Sequence, residues 1–230
     1  MPELVLLRHG QSLWNKEGRF TGWADIDLSP EGKEEAGYAG RLLKDCGYSF
    51  DIAYTSYLKR AIRTLWIVQE EMDLMWIPVF PSWRLNERNY GSLQGCSKKE
   101  METRYGPKAV HKWRRGYLDT PPAMGEGDER NQAKDPRYET LKGNIPRAES
   151  LKDTLDRMLP LWHERIALDL QAGKKVFISA HGNTIRAMVK HIDGISDRDI
   201  EDVEIPTGIP LVYLLDDDLT PKAHFYLRGR

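Results

Sequence analysis

Leu4-Val5-Leu6-Leu7-Arg8-His9-Gly10 is the stretch on which the reading of this chain turns. Four consecutive apolar residues, too few for a helix and stopped by a glycine, predict a strand buried on both faces. Arg8 and His9 stand where that strand runs out. In open α/β sheets this is where ligands bind, in the crevice beyond the carboxyl ends of the strands. An arginine there offers a permanently charged fork for phosphate, and a histidine offers a nucleophile or proton carrier near neutral pH. The same residues also fit a solvated turn whose histidine satisfies a local backbone group.

The arrangement recurs near the other end of the chain. Val176-Phe177-Ile178-Ser179-Ala180 predicts a second buried strand, ending in His181-Gly182-Asn183 ahead of a helix that carries Ile185, Met188 and Val189. Two histidines at strand carboxyl ends converge on one crevice if their strands are neighbours. The other four, His111, His163, His191 and His224, have no ligand spacing, which argues against a metal site.

Between these strands the chain alternates helix and strand signals. Ser29 is an N-cap with Pro30 at the first helical position, Glu31 complements the dipole, and Gly47 can end the helix. Ala36, Ala39, Leu42, Leu43 and Cys46 give it one apolar face, with Cys46 read as packing. A short strand at Asp51–Tyr54 leads through Thr55-Ser56 into a helix with Leu58, Ile62, Leu65 and Met72 on its core stripe. Arg60, off that stripe in the first turn, opposes the helix dipole. That placement suits a bound anion between them, or else a solvated arginine.

Pro78 confines the next strand, Ile77–Val79, to an edge or a strand start. In the polar segment Arg84–Gly91, Glu87 is a candidate general acid, or alternatively the partner of Arg84 or Arg88 in a loop ion pair. Lys98 opens a polar helix, and Trp113-Arg114-Arg115-Gly116 closes the next, where paired arginines complement the dipole. From Thr120 to about Arg147 there is no period but much proline and glycine, the pattern of a lid, a binding loop or disorder. A long amphipathic helix then runs from Leu151 to Ile166, and the chain closes with a hairpin of Leu211–Leu215 and Ala223–Leu227.

The composition sets the remaining bounds. At 230 residues the chain suits one domain, 1–230, with a lid-like loop insertion at about 120–147. Its net charge of −1 provides no global field for nucleic acid or anionic membrane, so an anionic ligand needs a local cluster of cations. Two cysteines, no apolar run of membrane-spanning length and no signal-peptide pattern leave a cytoplasmic enzyme as the default. The expected fold class is α/β, a three-layer fold with a mainly parallel central sheet and helices on both faces.

These motifs, taken together and in order, resemble the cofactor-dependent (2,3-bisphosphoglycerate-dependent) phosphoglycerate mutases of the histidine phosphatase superfamily. The likeness runs from Arg8-His9-Gly10-Gln11-Ser12, Asn15 and Phe20-Thr21-Gly22-Trp23 through Tyr54-Thr55-Ser56 with Lys59-Arg60-Ala61-Ile62. It continues through Leu85-Asn86-Glu87-Arg88 with Tyr90-Gly91, Lys98, Trp113–Gly116, Pro121-Pro122 and Asp135-Pro136-Arg137-Tyr138 to Ala180–Asn183 and Ile205–Pro210. Arg-His-Gly alone would indicate only the superfamily; the ordered set is similar to the mutase branch.

The resemblance implies roles. His9 would carry the phosphoryl group as phosphohistidine, with Arg8, Arg60 and His181 around it and Glu87 exchanging a proton with the substrate hydroxyl. Asn15, Thr21, Gly22, Gly182 and Asn183 would line the site. Tyr90, Lys98, Arg114 and Arg115 would hold the rest of the substrate, notably its carboxylate. It further implies 2,3-bisphosphoglycerate as phosphoryl primer, no metal, small-molecule phosphoglycerates as ligands, no nucleic-acid or membrane partner, and a homo-oligomer, dimer or tetramer. A phosphohistidine phosphatase on the same scaffold is the alternative, since water reaching the phosphohistidine would hydrolyse it. A catalytically silent phospho-ligand-binding protein would not need both nucleophile and proton donor. Family members often carry a tail beyond the last strand that covers the site. The sequence ends a few residues past Tyr226, which implies a cover built differently or a phosphatase-leaning activity.

Overall fold

A computed structural model describes residues 1–229. The strands are β1 (Glu3–Arg8), β2 (Ile52–Thr55), β3 (Val79–Pro81), β4 (Val176–Ala180), β5 (Leu211–Leu215) and β6 (Pro221–Tyr226). The helices are α1 (Leu13–Lys16), α2 (Pro30–Asp45), α3 (Lys59–Glu71), α4 (Lys98–Tyr105), α5 (Pro107–Arg115), α6 (Leu151–Leu161), α7 (Ala167–Gln171) and α8 (Gly182–Asp193). The strands form one six-stranded sheet in the order β3-β2-β4-β1-β5-β6. Its first four members pair in parallel, and β5 and β6 join by antiparallel pairing.

Alternation along β1 sorts its side chains between two layers. Leu4 and Leu6 pack with Ile178, Leu155, Met158, Ile185 and Met188, on the face covered by α6 and α8. Val5 and Leu7 pack with Phe177, Ala39, Leu43, Leu65 and Val68, on the face covered by α2 and α3. The continuous apolar runs at 4–7 and 176–178 follow from this, because a strand sandwiched between helices has no face left for water.

Local signals placed the helices well. Ser29 Oγ accepts the Gly32 N–H at the start of α2, with Pro30 at the first position. Cys46 is the exception. It caps the end of α2 and is exposed, so the apolar stripe stops at Leu43 one turn earlier. The long helix from Leu151 is interrupted by Pro160, which cannot donate to the helix ladder. A π-helical turn at Trp162–Ile166 follows before α7 resumes.

The segment 120–147 contains only two short 3-10 turns, Gln132–Lys134 and Pro136–Leu141. It is fastened rather than loose. Tyr138 is buried and stacks on Trp23 with ring centroids 5.0 Å apart, and Asn86 donates to its hydroxyl at 2.9 Å.

The turn after β1 lies directly on the first turn of α2. A Cβ at Gly10 would come within 2.0 Å of the Gly32 carbonyl oxygen, and one at Gly32 within 2.0 Å of the Gln11 carbonyl oxygen. Neither contact is with a movable side chain. Gly32→Ala should therefore push α2 off this turn and cost about 1–3 kcal/mol of stability, the range for overpacking. Urea denaturation measures it, and an unchanged midpoint would show that the two backbones can part freely.

Candidate active site

The parallel pairing of β1 with β4 sets Arg8 opposite Ala180, and the ladder extends one step further, with the His9 N–H donating to the Ala180 carbonyl at 3.0 Å. The next residue on each strand is a histidine. Their rings meet edge to face, centroids 5.0 Å apart. Both are buried, His9 with 3% of its surface exposed.

The His9 ring is fixed by its own neighbour. Nδ1 lies 2.7 Å from the Gly10 carbonyl oxygen. A carbonyl only accepts, so Nδ1 carries the proton and Nε2 the lone pair. Burial, then the Arg60 and Arg8 guanidinium groups, hold His9 well below the usual 6.5, so the ring is neutral at physiological pH. His181 is likewise held well below 6.5, by burial first and then by Arg60. Its Nε2 lies 2.8 Å from Ser56 Oγ, and its buried Nδ1 has no partner.

Arg60 lies in the first turn of α3, 1% exposed. Its Nη1 and Nη2 donate to the Ala24 and Gly22 carbonyls at 2.9 and 2.8 Å, leaving Nε to face His9 Nε2 at 3.3 Å. Burial lowers its pKa to about 10, still charged at neutral pH. Arg8 donates from Nη1 to the Ile205 carbonyl at 2.7 Å, and its Nε is buried without a partner. Glu87 does not form the loop ion pair that its neighbours suggested. Its Oε1 accepts the backbone N–H groups of Arg88 at 2.8 Å and Asn183 at 3.2 Å. The loop carrying it is clamped from behind by Arg157, which donates to the Arg84, Asn86 and Glu87 carbonyls and pairs with buried Glu149.

These groups open onto a cavity of about 360 Å³, a size typical of small-molecule sites. Arg8, His9, Asn15, Thr21, Gly22, Arg60, Glu87, Tyr90, Lys98, Arg114, Arg115, Gly182 and Asn183 all line it. His181 is the one candidate from the sequence that does not, lying wholly buried beneath. No residue of 120–147 lines the cavity.

Helices α4 and α5 add further cations to the lining. Among the described residues the Arg114 side chain makes no hydrogen bond, and Lys98 has a lowered pKa from burial and from Arg114 beside it. Arg115 is less available. It donates to the Glu201 and Val203 carbonyls at 2.7 and 3.0 Å and pairs with Glu204 at 2.9 Å. Seven cationic side chains face two carboxylates, Glu87 and Glu204, and Thr21 Oγ1 is buried without a partner. Such a cavity is built for a polyanion. Among the described residues no cluster of side chains could hold a metal ion.

Besides Phe20, sequence reasoning missed four charged or titratable lining residues, Arg19, His111, Arg186 and Glu204. For Arg186 a signal existed, since it stands three residues after Asn183 and therefore on the same helix face. The other three carry no pattern that distinguishes them from solvated surface.

A sequence model of the histidine phosphatase superfamily (branch 1) matches residues 4–134 and 126–217. Similar solved structures include a mycobacterial glucosyl-3-phosphoglycerate phosphatase in complex with VO3, at 22% identity, TM-score 0.73, covering 98% of this chain and 97% of that one. Others are a putative alpha-ribazole-5'-P phosphatase from Escherichia coli, at 18% identity, TM-score 0.71, covering 100% and 97%, and YhfR from Bacillus stearothermophilus, at 22%, 0.70, covering 93% and 91%. At these identities the likeness to the solved structures is one of fold. No helix among the described residues is long and apolar enough to cross a membrane.

The neutral buried rings make stability pH-dependent. Below about 6.5 the unfolded chain binds protons that folded His9 and His181 refuse, so stability falls as the pH drops. The slope is up to about 1.4 kcal/mol per pH unit for each ring. Between pH 6.5 and 5, before most carboxylates titrate, His9→Gln should reduce the slope of unfolding free energy against pH by about one proton. An identical slope in the variant would mean that His9 is protonated in the folded protein.

Proposed function

This chain belongs to the histidine phosphatase superfamily (branch 1), and within it we propose, on the cavity's cations, a phosphoglycerate mutase interconverting 3-phosphoglycerate and 2-phosphoglycerate through a phosphohistidine at His9. The observation that carries this reading is the cationic lining that α4 and α5 add. Hydrolysis of a phosphate ester needs only the pocket around His9, whereas Lys98 and Arg114 add to the same cavity two cations that form no salt bridge among the described residues and are suited to a carboxylate or second phosphate. The ordered motifs of the mutase branch support the same assignment.

In this reading the His9 Nε2 lone pair forms the N–P bond as the P–O ester bond breaks. Arg60 Nε, which faces that lone pair in the free protein, moves its hydrogen bond to a phosphoryl oxygen. Arg8, with its free Nε, adds charge to the equatorial oxygens. Ser56 Oγ accepts the Leu58 N–H, which leaves its own proton for His181 Nε2. His181 then keeps its proton on the unpartnered Nδ1, a donor next to the His9 ring.

2,3-Bisphosphoglycerate, when bound, supplies the first phosphoryl group to His9. The residues that would hold it are Arg8, Arg60, Asn15 and Thr21 at one end and Lys98, Arg114 and Tyr90 at the other. When a substrate hydroxyl attacks the phosphohistidine, its proton passes to the Glu87 carboxylate. When the neighbouring phosphoryl group is returned to His9, Glu87 gives that proton to the departing oxygen. Two backbone N–H groups fix the carboxylate for both transfers.

A hydrolase is the second reading, favoured by the phosphatases among the similar solved structures. One assay separates the two. For a mutase, interconversion of the phosphoglycerates rises with added 2,3-bisphosphoglycerate and outpaces phosphate release. Steady phosphate release with no primer response would establish the hydrolase. In either case His9→Ala should abolish labelling by the ³²P-primer, and persistent labelling would remove His9 as nucleophile. Arg114→Ala should lower mutase turnover by a factor of about ten or more, the worth of one charged contact, and lower phosphate release from a simple aryl phosphate much less. Equal losses would argue against a distal anion clamp.

A further inference from the structure

Among the described residues Arg186 is a buried cation with no salt bridge. It lies on α8, 3% exposed, and every partner of its guanidinium is neutral. Nη1 donates to Asn183 Oδ1 at 3.0 Å and the Arg114 carbonyl at 3.3 Å. Nη2 donates to the Arg115 carbonyl at 2.8 Å and to the Ile200 carbonyl. Its Nε is buried with no partner. Burial first, then Arg88 and Arg115 nearby, lower its pKa to about 10, which still leaves it charged near neutral pH. Leaving a charge buried in this way is costly unless something gains from it.

What its fork joins is informative. Arg114 and Arg115 are the last two residues of α5, so their carbonyls are free of helix partners, and Arg186 bridges both. Its other contact, Asn183, donates its backbone N–H to Glu87 and its side-chain amide to Tyr90. One side chain thus ties the helix end that bears the distal arginines to the residue that fixes the proton-exchanging carboxylate. Arg88 repeats part of the link, donating to the Arg114 carbonyl at 2.7 Å and to the Tyr90 hydroxyl at 2.9 Å.

We propose that Arg186 is the positioning residue that sets the span between the phosphoryl pocket and the distal cations, and so selects phosphate esters that carry a carboxylate at the matching distance. It acts through the Arg114 and Arg115 backbone and through Asn183. Its charge, held by no salt bridge among the described residues, also adds to the field that the distal anion meets. This deepens the mutase reading and rests on its distal clamp.

The distinguishing feature is the fork. A lysine keeps the charge but cannot bridge two neighbouring carbonyls while also holding Asn183. The test is calorimetric titration of the intact protein and of Arg186→Lys and Arg186→Gln with 3-phosphoglycerate and, separately, with inorganic phosphate. The quantity read is the ratio of the two affinities within each protein. The wild type should prefer 3-phosphoglycerate, and both variants should lose at least five-fold of that preference, lysine nearly as much as glutamine. A merely structural role would weaken both ligands together and leave the ratio where it was, which overturns the proposal, as does full rescue by lysine. A wild type with no preference for the carboxylate-bearing ester would overturn the proposal by a different route, because the distal clamp itself would then be wrong.

Discussion

The register of β1 against β4 is the constraint on which the rest of this structure depends. Arg8 pairs with Ala180, His9 donates to the same carbonyl, and His181 follows, so two residues more than 170 positions apart arrive ring against ring. Nothing in the histidines themselves brings them together. The register is held by Leu4, Leu6, Val176 and Ile178 on one face and Val5, Leu7 and Phe177 on the other. A slip of one residue would send every one of these side chains to the wrong layer. The geometry of the nucleophile is therefore enforced by the core, at a depth where thermal adjustment is small.

The site's charge is arranged by a consistent device. Arg60 is held by the Gly22 and Ala24 carbonyls, Arg88 by the Arg114 carbonyl, and Arg186 by the Arg114, Arg115 and Ile200 carbonyls. A carbonyl fixes a guanidinium in place without cancelling its charge, whereas a carboxylate would do both. Arg157 marks the contrast. It sits behind the Glu87 loop, faces no ligand and is paired with Glu149. Of the cations that line the cavity, Arg60 and Arg186 are held by carbonyls alone, whereas Arg115 and Arg19 also pair with Glu204 and Glu17. Burial first, and then the charges of Arg60 and Arg8, keep His9 neutral, so the cations placed to meet an anion also favour the free lone pair of the nucleophile.

How far this could be read from residue order follows from the range of each interaction. Strands, helix caps and the α2 and α3 faces rest on local periodicity, and most of those expectations match the structure. The exceptions are Cys46, Ile62, which is only half-buried, the strand expected at Ile77–Val79 and found at Val79–Pro81, and the helix from Leu151, which Pro160 interrupts. The recurrence of a histidine after a buried strand pointed to a shared crevice, although only the sheet order makes the strands neighbours. What stayed illegible depends on contacts that leave no pattern. Glu87 is held by two backbone N–H groups, and Arg115 is largely occupied by the Glu201 and Val203 carbonyls. No spacing encodes either.

The two halves of the cavity also differ in how they are built, which bears on what a likeness of fold can say. His9, Arg60 and His181 hang from the sheet and from α3, within the main layers of the fold. Lys98 and Arg114 come from α4 and α5, which pack around their own small apolar cluster of Phe20, Leu93, Met101 and Val110, apart from the main layers. That outlying pair of helices reaches the sheet-borne half through Arg88 and Arg186. The two solved phosphatases span both halves, covering 98% and 100% of this chain, and at 22% and 18% identity they speak to the fold and not to the side chains of either half. In the mutase reading proposed above, the choice between water and a second hydroxyl as acceptor falls to Lys98 and Arg114, which line the same cavity as His9.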